Sequence, residues 1–228
     1  MTPVTADIHD LPLPEAVIFD LDGTLVDTVQ ARIDAWLAVF GEVDLPTSRE
    51  DLAPLIGVDG KRLAREVAAR AGRPIDDESA EAIDKRSGEI YEGLNRSPRP
   101  LAGVRELVDA IEKRGIDWAI ATSSRKDQVA TSVEALGLEK EPITVDASHV
   151  ERAKPEPDLL LRAAEELGVE PARAWYVGDS TWDMVAAVAA GMTPIGVTAG
   201  SAVPASALEG AGAAVVVHDL LEIEDALR

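Results

Sequence analysis

From residue 104 to the C-terminus the chain switches repeatedly between short apolar or β-branched runs and amphipathic stripes, and this alternation narrows its fold more than any other feature. The runs Trp118-Ala119-Ile120-Ala121, Ile143-Thr144-Val145, Trp175-Tyr176-Val177, Pro194-Ile195-Gly196-Val197 and Ala214-Val215-Val216-Val217 are too brief for helices and read as strands. Between them fall helical spacings: Val129, Val133 and Leu136; Leu160, Ala163, Ala164 and Leu167; and the stretch near 182 to 190, with a closing helix after the last run. An earlier run, Ala16-Val17-Ile18-Phe19, is continuously apolar and rich in β-branched residues, as a strand buried on both faces should be. Strands that alternate with helices imply crossovers, and hence an α/β fold: a doubly wound, mostly parallel sheet of Rossmann type with helices on both faces.

One segment departs from the alternation. After Gly23 the positions Ile33, Trp36, Leu37 and Phe40 mark a helix that Gly41 stops, and from there to about residue 97 only helical patterns occur: Leu63 with Val67, then Ile83, Ile90, Tyr91 and Leu94. Arg96-Ser97-Pro98-Arg99-Pro100 breaks the pattern, and Val104, Leu107, Val108 and Ile111 begin the next helix. The expected organisation is therefore an α/β core of residues 1–27 and 98–228 with an all-helical insert at 28–97.

Composition removes whole classes of function. The 42 acidic against 22 basic residues give a net charge of −20, a field that repels nucleic acid and anionic membrane. There is no cysteine, and the three histidines, His9, His149 and His218, are scattered, so any metal must be held by oxygen. The opening MTPVTADIHDLPLP carries neither a basic region nor an apolar one, and no later run is long enough to span a bilayer, so the expected location is the cytoplasm.

In open parallel sheets ligands bind beyond the carboxyl ends of the strands, so the residue after each apolar run is the one to read for chemistry. Those residues are Asp20, Thr122 and Asp179, and a polar loop bearing Lys154 follows a fourth strand. The segments DLDGTLVDT at 20–28, ATSSR at 121–125, AKPEPD at 153–158 and GDSTWD at 178–183 resemble, in order and separation, the four motifs of the haloacid dehalogenase-like superfamily. With its helical insert the chain is similar to the capped phosphatases and phosphoglycolate phosphatase-like members of that family, and the resemblance runs from about Glu15 onward.

The resemblance implies a Mg²⁺-dependent phosphomonoester hydrolase acting on a small phosphorylated metabolite through an aspartyl-phosphate. On that reading Asp20 is the nucleophile, and Asp22, two residues on, is the general acid and base. Gly23 and Thr24 shape the phosphate loop, Thr122 and Ser123 offer donors to phosphoryl oxygens, and Lys154, in a loop stiffened by Pro155 and Pro157, supplies the balancing charge. Asp20, Asp22 (through its carbonyl), Asp179 and Asp183 would hold the metal.

Several alternatives are weighed by particular residues. A calcium loop starting at Asp20 fails, because Leu25 stands where glycine belongs and Ala31 where the closing glutamate belongs. Metal-free dehalogenases of the family lack an equivalent of Asp22. Its sugar phosphomutases carry a histidine where this chain has Arg32 and an arginine near Gly60, so both departures count against a mutase. A non-catalytic phosphate-binding protein would tolerate loss of the charges that are all retained here. Arg32 is expected either to meet an anionic substrate or to face water, the loop Gly57–Lys61 to close over the site or merely to turn, and Trp182 to press on the metal loop. The expected assembly is a monomer or small homo-oligomer.

Overall fold

The computed structural model describes residues 7–228. Its six strands are β1 (Ala16–Phe19), β2 (Asp117–Ala121), β3 (Ile143–Val145), β4 (Ala174–Gly178), β5 (Thr193–Val197) and β6 (Val215–Val217), in the order β3-β2-β1-β4-β5-β6 with every neighbouring pair parallel. The order reverses beside β1, whose Ile18 pairs with Ala119 on one side and Tyr176 on the other. That switch point opens a crevice at the carboxyl ends of β1, β2 and β4.

The period-2 geometry of β1 explains why all four of its residues are apolar. Val17 and Phe19 enter one core with α5 (Val104–Arg114), α6 (Lys126–Ala135) and α10 (Leu220–Ala226). Ala16 and Ile18 enter the other, with α7 (Asp158–Leu167) and α8 (Thr181–Ala190). Each large side chain so buried contributes roughly 1.5–3 kcal/mol relative to exposure.

The segment between β1 and α5 contains α1 (Val29–Glu42), α2 (Arg49–Leu52), α3 (Gly60–Arg70) and α4 (Asp77–Leu94). These helices share a third apolar cluster around Ile33, Trp36, Phe40, Leu52, Leu63, Val67 and Ile83. Leu94, counted in the sequence pattern of α4, is half exposed, because the helix ends there, while Tyr91 turns inward. The short helix α9 (Ala205–Gly210) was not foreseen. It buries only Leu208, too little for a periodic signal, yet it provides the crossover that makes β5 and β6 parallel.

Candidate active site

Two of the strand-end residues are positioned by the sheet itself. The Asp20 amide donates to the Val177 carbonyl and the Thr122 amide to the Val145 carbonyl, both at 2.9 Å, so each continues a ladder one step past its strand. Asp179 follows β4 directly. A side chain at Gly23, where φ is +85°, would strike the Asp179 carboxylate at 2.4 Å, so glycine there lets the first loop close on the fourth strand. Gly178 plays the same part for α8: an added Cβ would sit 2.5 Å from Asp183.

Lys154 is the centre of the cluster and is wholly buried. Its Nζ donates to Asp20 Oδ1 at 2.6 Å, Asp183 Oδ1 at 2.7 Å and the Tyr176 hydroxyl at 3.3 Å. Asp183 Oδ2 accepts the amide and hydroxyl of Ser180, at 2.9 and 2.6 Å, in the capping box that starts α8. Thr24 donates to Asp179 Oδ1 at 3.1 Å. Carboxylate oxygens of Asp20, Asp179 and Asp183 lie within 4.8 Å of one another.

Three buried carboxylates against one ammonium leave negative charge uncompensated in a dry site, and the titration of the groups reflects it. Burial, the strongest influence, pushes the Asp20 carboxyl up to about 7, with Lys154 pulling it down and Asp183 pushing it up. Burial and then the Asp183 and Asp20 charges drive Asp179 well above the ordinary carboxylate range. Lys154 would be lowered by burial, but the charges of Asp183 and Asp20 outweigh that and raise it. An all-oxygen, anion-rich donor set of this kind fits a hard divalent cation.

Asp22 does not join this group. Its Oδ1 accepts Thr28 Oγ1 at 2.6 Å and the Tyr91 hydroxyl at 2.9 Å, and its Oδ2 accepts Ser124 Oγ at 2.6 Å and the Arg32 guanidinium at 3.0 Å. Burial alone would raise its pKa, but Arg32 and these hydroxyls override it and hold the carboxyl at about 2. A carboxylate with four donors is fully ionised. Arg32 does not face water: its side chain is 13% exposed and it stands in the wall of the site. It is locked on Asp22, Ser124 and Gln128 Oε1 (2.9 Å), with its guanidinium carbon 3.5 Å from the Tyr91 ring centre.

The lock has a stability signature. A carboxyl whose pKa falls from 3.8 to about 2 on folding contributes roughly 2 kcal/mol above pH 4, and this is lost as pH drops towards 2. Arg32→Met should therefore lower the unfolding free energy by about that amount at pH 7. In urea titrations the deficit should narrow below pH 4; a deficit independent of pH would mean that packing, not charge, is lost.

A cavity of about 60 Å³ lies over the cluster. Asp20, Asp22, Thr122, Ser123, Ser124 and Lys154 wall it from the sheet side; Arg32, Trp36, Gly57, Gly60, Leu63 and Asp84 wall it from the α1–α4 segment. Gly23 and Thr24 are not among its walls; their contacts run to Asp179 instead. Thr122 Oγ1 accepts the Ser124 amide at 3.1 Å, and Ser123 Oγ is buried with no hydrogen-bond partner. An orphaned buried hydroxyl beside Lys154 is the fit expected of an anion site.

The helical segment is seated on the site. The Asp59 amide donates to the Lys154 carbonyl at 3.1 Å, and Gly57 packs against Ser180 so closely that a Cβ would lie 2.5 Å from its hydroxyl. Trp182 sends its indole N–H to the Pro54 carbonyl at 2.9 Å, tying the start of α8 to the helical segment. The sequence reading does not single out Gln128, Tyr91, Thr28 and Ser124 as site residues, although Thr28 and Ser124 lie inside the quoted DLDGTLVDT and ATSSR segments and Tyr91 is counted in the α4 stripe.

The comparisons with known proteins agree with this geometry. The haloacid dehalogenase-like hydrolase family matches residues 17–197. An N-acetylmuramic acid 6-phosphate phosphatase of Pseudomonas aeruginosa is 32% identical over 93% of this chain and 94% of its own. A phosphoglycolate phosphatase of Rhodospirillum rubrum is 33% identical over 93% and 90%. The crystal structure of a hydrolase from Pseudomonas syringae superposes with a TM-score of 0.87 at 32% identity, covering 93% of this chain and 97% of that one. Because the match runs from β1 through β5 and so takes in every residue of the Lys154 cluster, the chain belongs to the haloacid dehalogenase-like hydrolases.

Proposed function

We propose that this protein is a Mg²⁺-dependent phosphomonoesterase that hydrolyses a small phosphorylated metabolite through an aspartyl-phosphate on Asp20. The observation that carries the reading is the buried Asp20–Lys154 pair at 2.6 Å, beneath a small cavity that also holds an unpartnered serine hydroxyl. The phosphatase names of the two relatives support it.

In the first step a carboxylate oxygen of Asp20 attacks phosphorus, the ester P–O bond breaks, and the leaving oxygen takes a proton from Asp22. Lys154, Thr122 and Ser123 hold the phosphoryl oxygens as charge shifts between them. In the second step Asp22 takes a proton from water, which attacks the aspartyl-phosphate and frees Asp20 and phosphate. As placed here, ionised and saturated with donors, Asp22 is ready for the second step. For the first it must give up a donor and gain a proton, which couples its action to movement of Arg32 and Tyr91. Asp20, Asp179, Asp183 and the Asp22 carbonyl would hold Mg²⁺, which neutralises the phosphoryl charge.

In this reading residues 1–27 and 98–228 are the catalytic core, and 28–97 are a cap that excludes water. The cap carries Arg32 where a mutase would have histidine, and this guanidinium, engaged with Asp22, is a permanent cation rather than a base. No helix among the described residues is long and apolar enough to cross a membrane, in keeping with a cytoplasmic enzyme acting on small metabolites, alone or as a small homo-oligomer.

The test is phosphate release from a panel of phosphomonoesters with Mg²⁺ or EDTA. Release is expected only with the metal. Melting curves give a second readout. Carboxyls with raised folded pKa values stabilise the fold at low pH and lose that contribution as pH rises through about 7 for Asp20, so Mg²⁺ should raise the melting temperature more at pH 8 than at pH 6. Metal-independent release, or no thermal shift at either pH, counts against the reading.

A further inference from the structure

The cavity over Asp20, at about 60 Å³, holds a phosphoryl group and little else, since sites for whole organic ligands run to about 300–1,000 Å³. Beside it lies an open cleft of about 680 Å³. The two share the walls Gly60, Asp84, Ser123 and Gln128, so the orphaned Ser123 hydroxyl belongs to the boundary between them.

We infer that the leaving group of the substrate projects through this shared wall into the outer cleft, where Asp84 and Arg125 bind a neutral, polyhydroxylated group of sugar size. The inference rests on the phosphomonoesterase reading and adds the class of substrate to it.

Arg125 stands at the N-terminus of α6 and donates to Asp84 Oδ2 and Glu81 Oε1 of α4, both at 2.6 Å. The pair spans the joint between the helical segment and the sheet at the neck. Asp84 lies against the backbone of Gly60 at the start of α3, where an added Cβ would fall 1.9 Å from its Oδ1, so α3 and α4 meet closely at the neck. Arg125 is one-third exposed and Asp84 only 15%, which places the cation towards the outer cleft and the carboxylate towards the chamber.

The charge of the cleft selects the chemistry. Among the described residues its wall carries four carboxylates and three cations, Arg125 and Lys61 being paired with Glu81. A leaving group with its own carboxylate would meet net negative charge there, in a molecule already at −20. Hydroxyls, which donate to carboxylates and accept from guanidinium, match such a mixed wall without adding charge.

The experiment compares wild-type protein and Arg125→Ala, with Mg²⁺, on acetyl phosphate, on phosphoglycolate and on a set of aldose and alditol phosphates. The wild type should prefer the best of the polyol esters to phosphoglycolate. Arg125→Ala should raise KM for that ester about tenfold with kcat little changed, and leave acetyl phosphate within about twofold. An equal loss on both, no loss on either, or a preference for phosphoglycolate overturns the inference. If phosphoglycolate is hydrolysed but no polyol ester is, the inference fails while the phosphomonoesterase reading survives; hydrolysis of acetyl phosphate alone, an anhydride rather than an ester, fails both. If the wild type hydrolyses nothing, both fail. Arg125 is one-third exposed but Asp84 is largely buried, so Arg125→Ala is compared with the wild type by melting temperature first; a variant that does not fold is replaced by Arg125→Gln, for which the same KM pattern is required.

Discussion

Asp20→Asn should lose phosphate release by on the order of 10³-fold or more, with substrate binding largely kept. The amide is nearly the same size and cannot act as the nucleophile. What distinguishes chemistry from collapse is the accompanying stability. Asp20 is buried with its carboxyl pushed up to about 7, so the fold holds that charge at a cost which grows as pH rises. Removing the charge removes the cost, while the amide oxygen can still accept from Lys154. In metal-free buffer at pH 8, Asp20→Asn should therefore unfold at the same urea concentration as the wild type or a higher one, despite its lost activity. Retained turnover would sink the nucleophile assignment. Lost turnover together with a large fall in stability would show instead that Asp20 is chiefly structural.

The parts of the site legible in the sequence were those set by local rules. Asp20, Thr122 and Asp179 could be found because a buried strand is an unbroken apolar run and the first polar residue after it marks the end of the sheet. The partners of Asp22 follow no such rule. Tyr91 lies 69 residues away and Ser124 102 residues away, and only the docking of α4 and the pairing of β2 with β1 bring them to one carboxylate. Tyr91 also occupies a core position of its helix, so periodicity reports its ring and is silent about its hydroxyl. Arg32 drew notice as a lone cation ahead of an apolar stripe, yet its direction depends on Gln128, 96 residues on. Asp183 shows the opposite limit. Its spacing from Asp179 marks a possible metal ligand, whereas the fold also uses it to cap α8 and to anchor Lys154, two roles that no spacing separates.

Lys154→Met should be the most destabilising single change in the site. Methionine fills a similar volume, so the loss is electrostatic. The substitution removes the 2.6 and 2.7 Å pairs to Asp20 and Asp183, leaving three buried carboxylates without the ammonium. Stripping one partner from a buried ion pair costs about 3–5 kcal/mol, because the remaining charge has neither water nor counter-ion. Asp20 and Asp179, whose carboxyls burial already pushes up, respond by holding protons, so the deficit has a definite pH sense. It should be smaller at pH 6, where neutralisation is cheap, and larger at pH 8, where the fold must keep protons on groups that the unfolded chain releases. Mg²⁺ should recover part of the stability by restoring positive charge, but not the activity, which should stay about 10²–10³-fold down because the phosphoryl oxygens have lost a donor. Lys154→Arg should not rescue it: the site is sealed around a compact ammonium held by three acceptors, and a planar fork needs space that is absent. Urea midpoints at the two pH values, with and without metal, decide the matter. A variant as stable as the wild type at pH 8 would mean that Asp20 and Asp179 are already largely protonated there, and that the charge-balance account of this site is wrong.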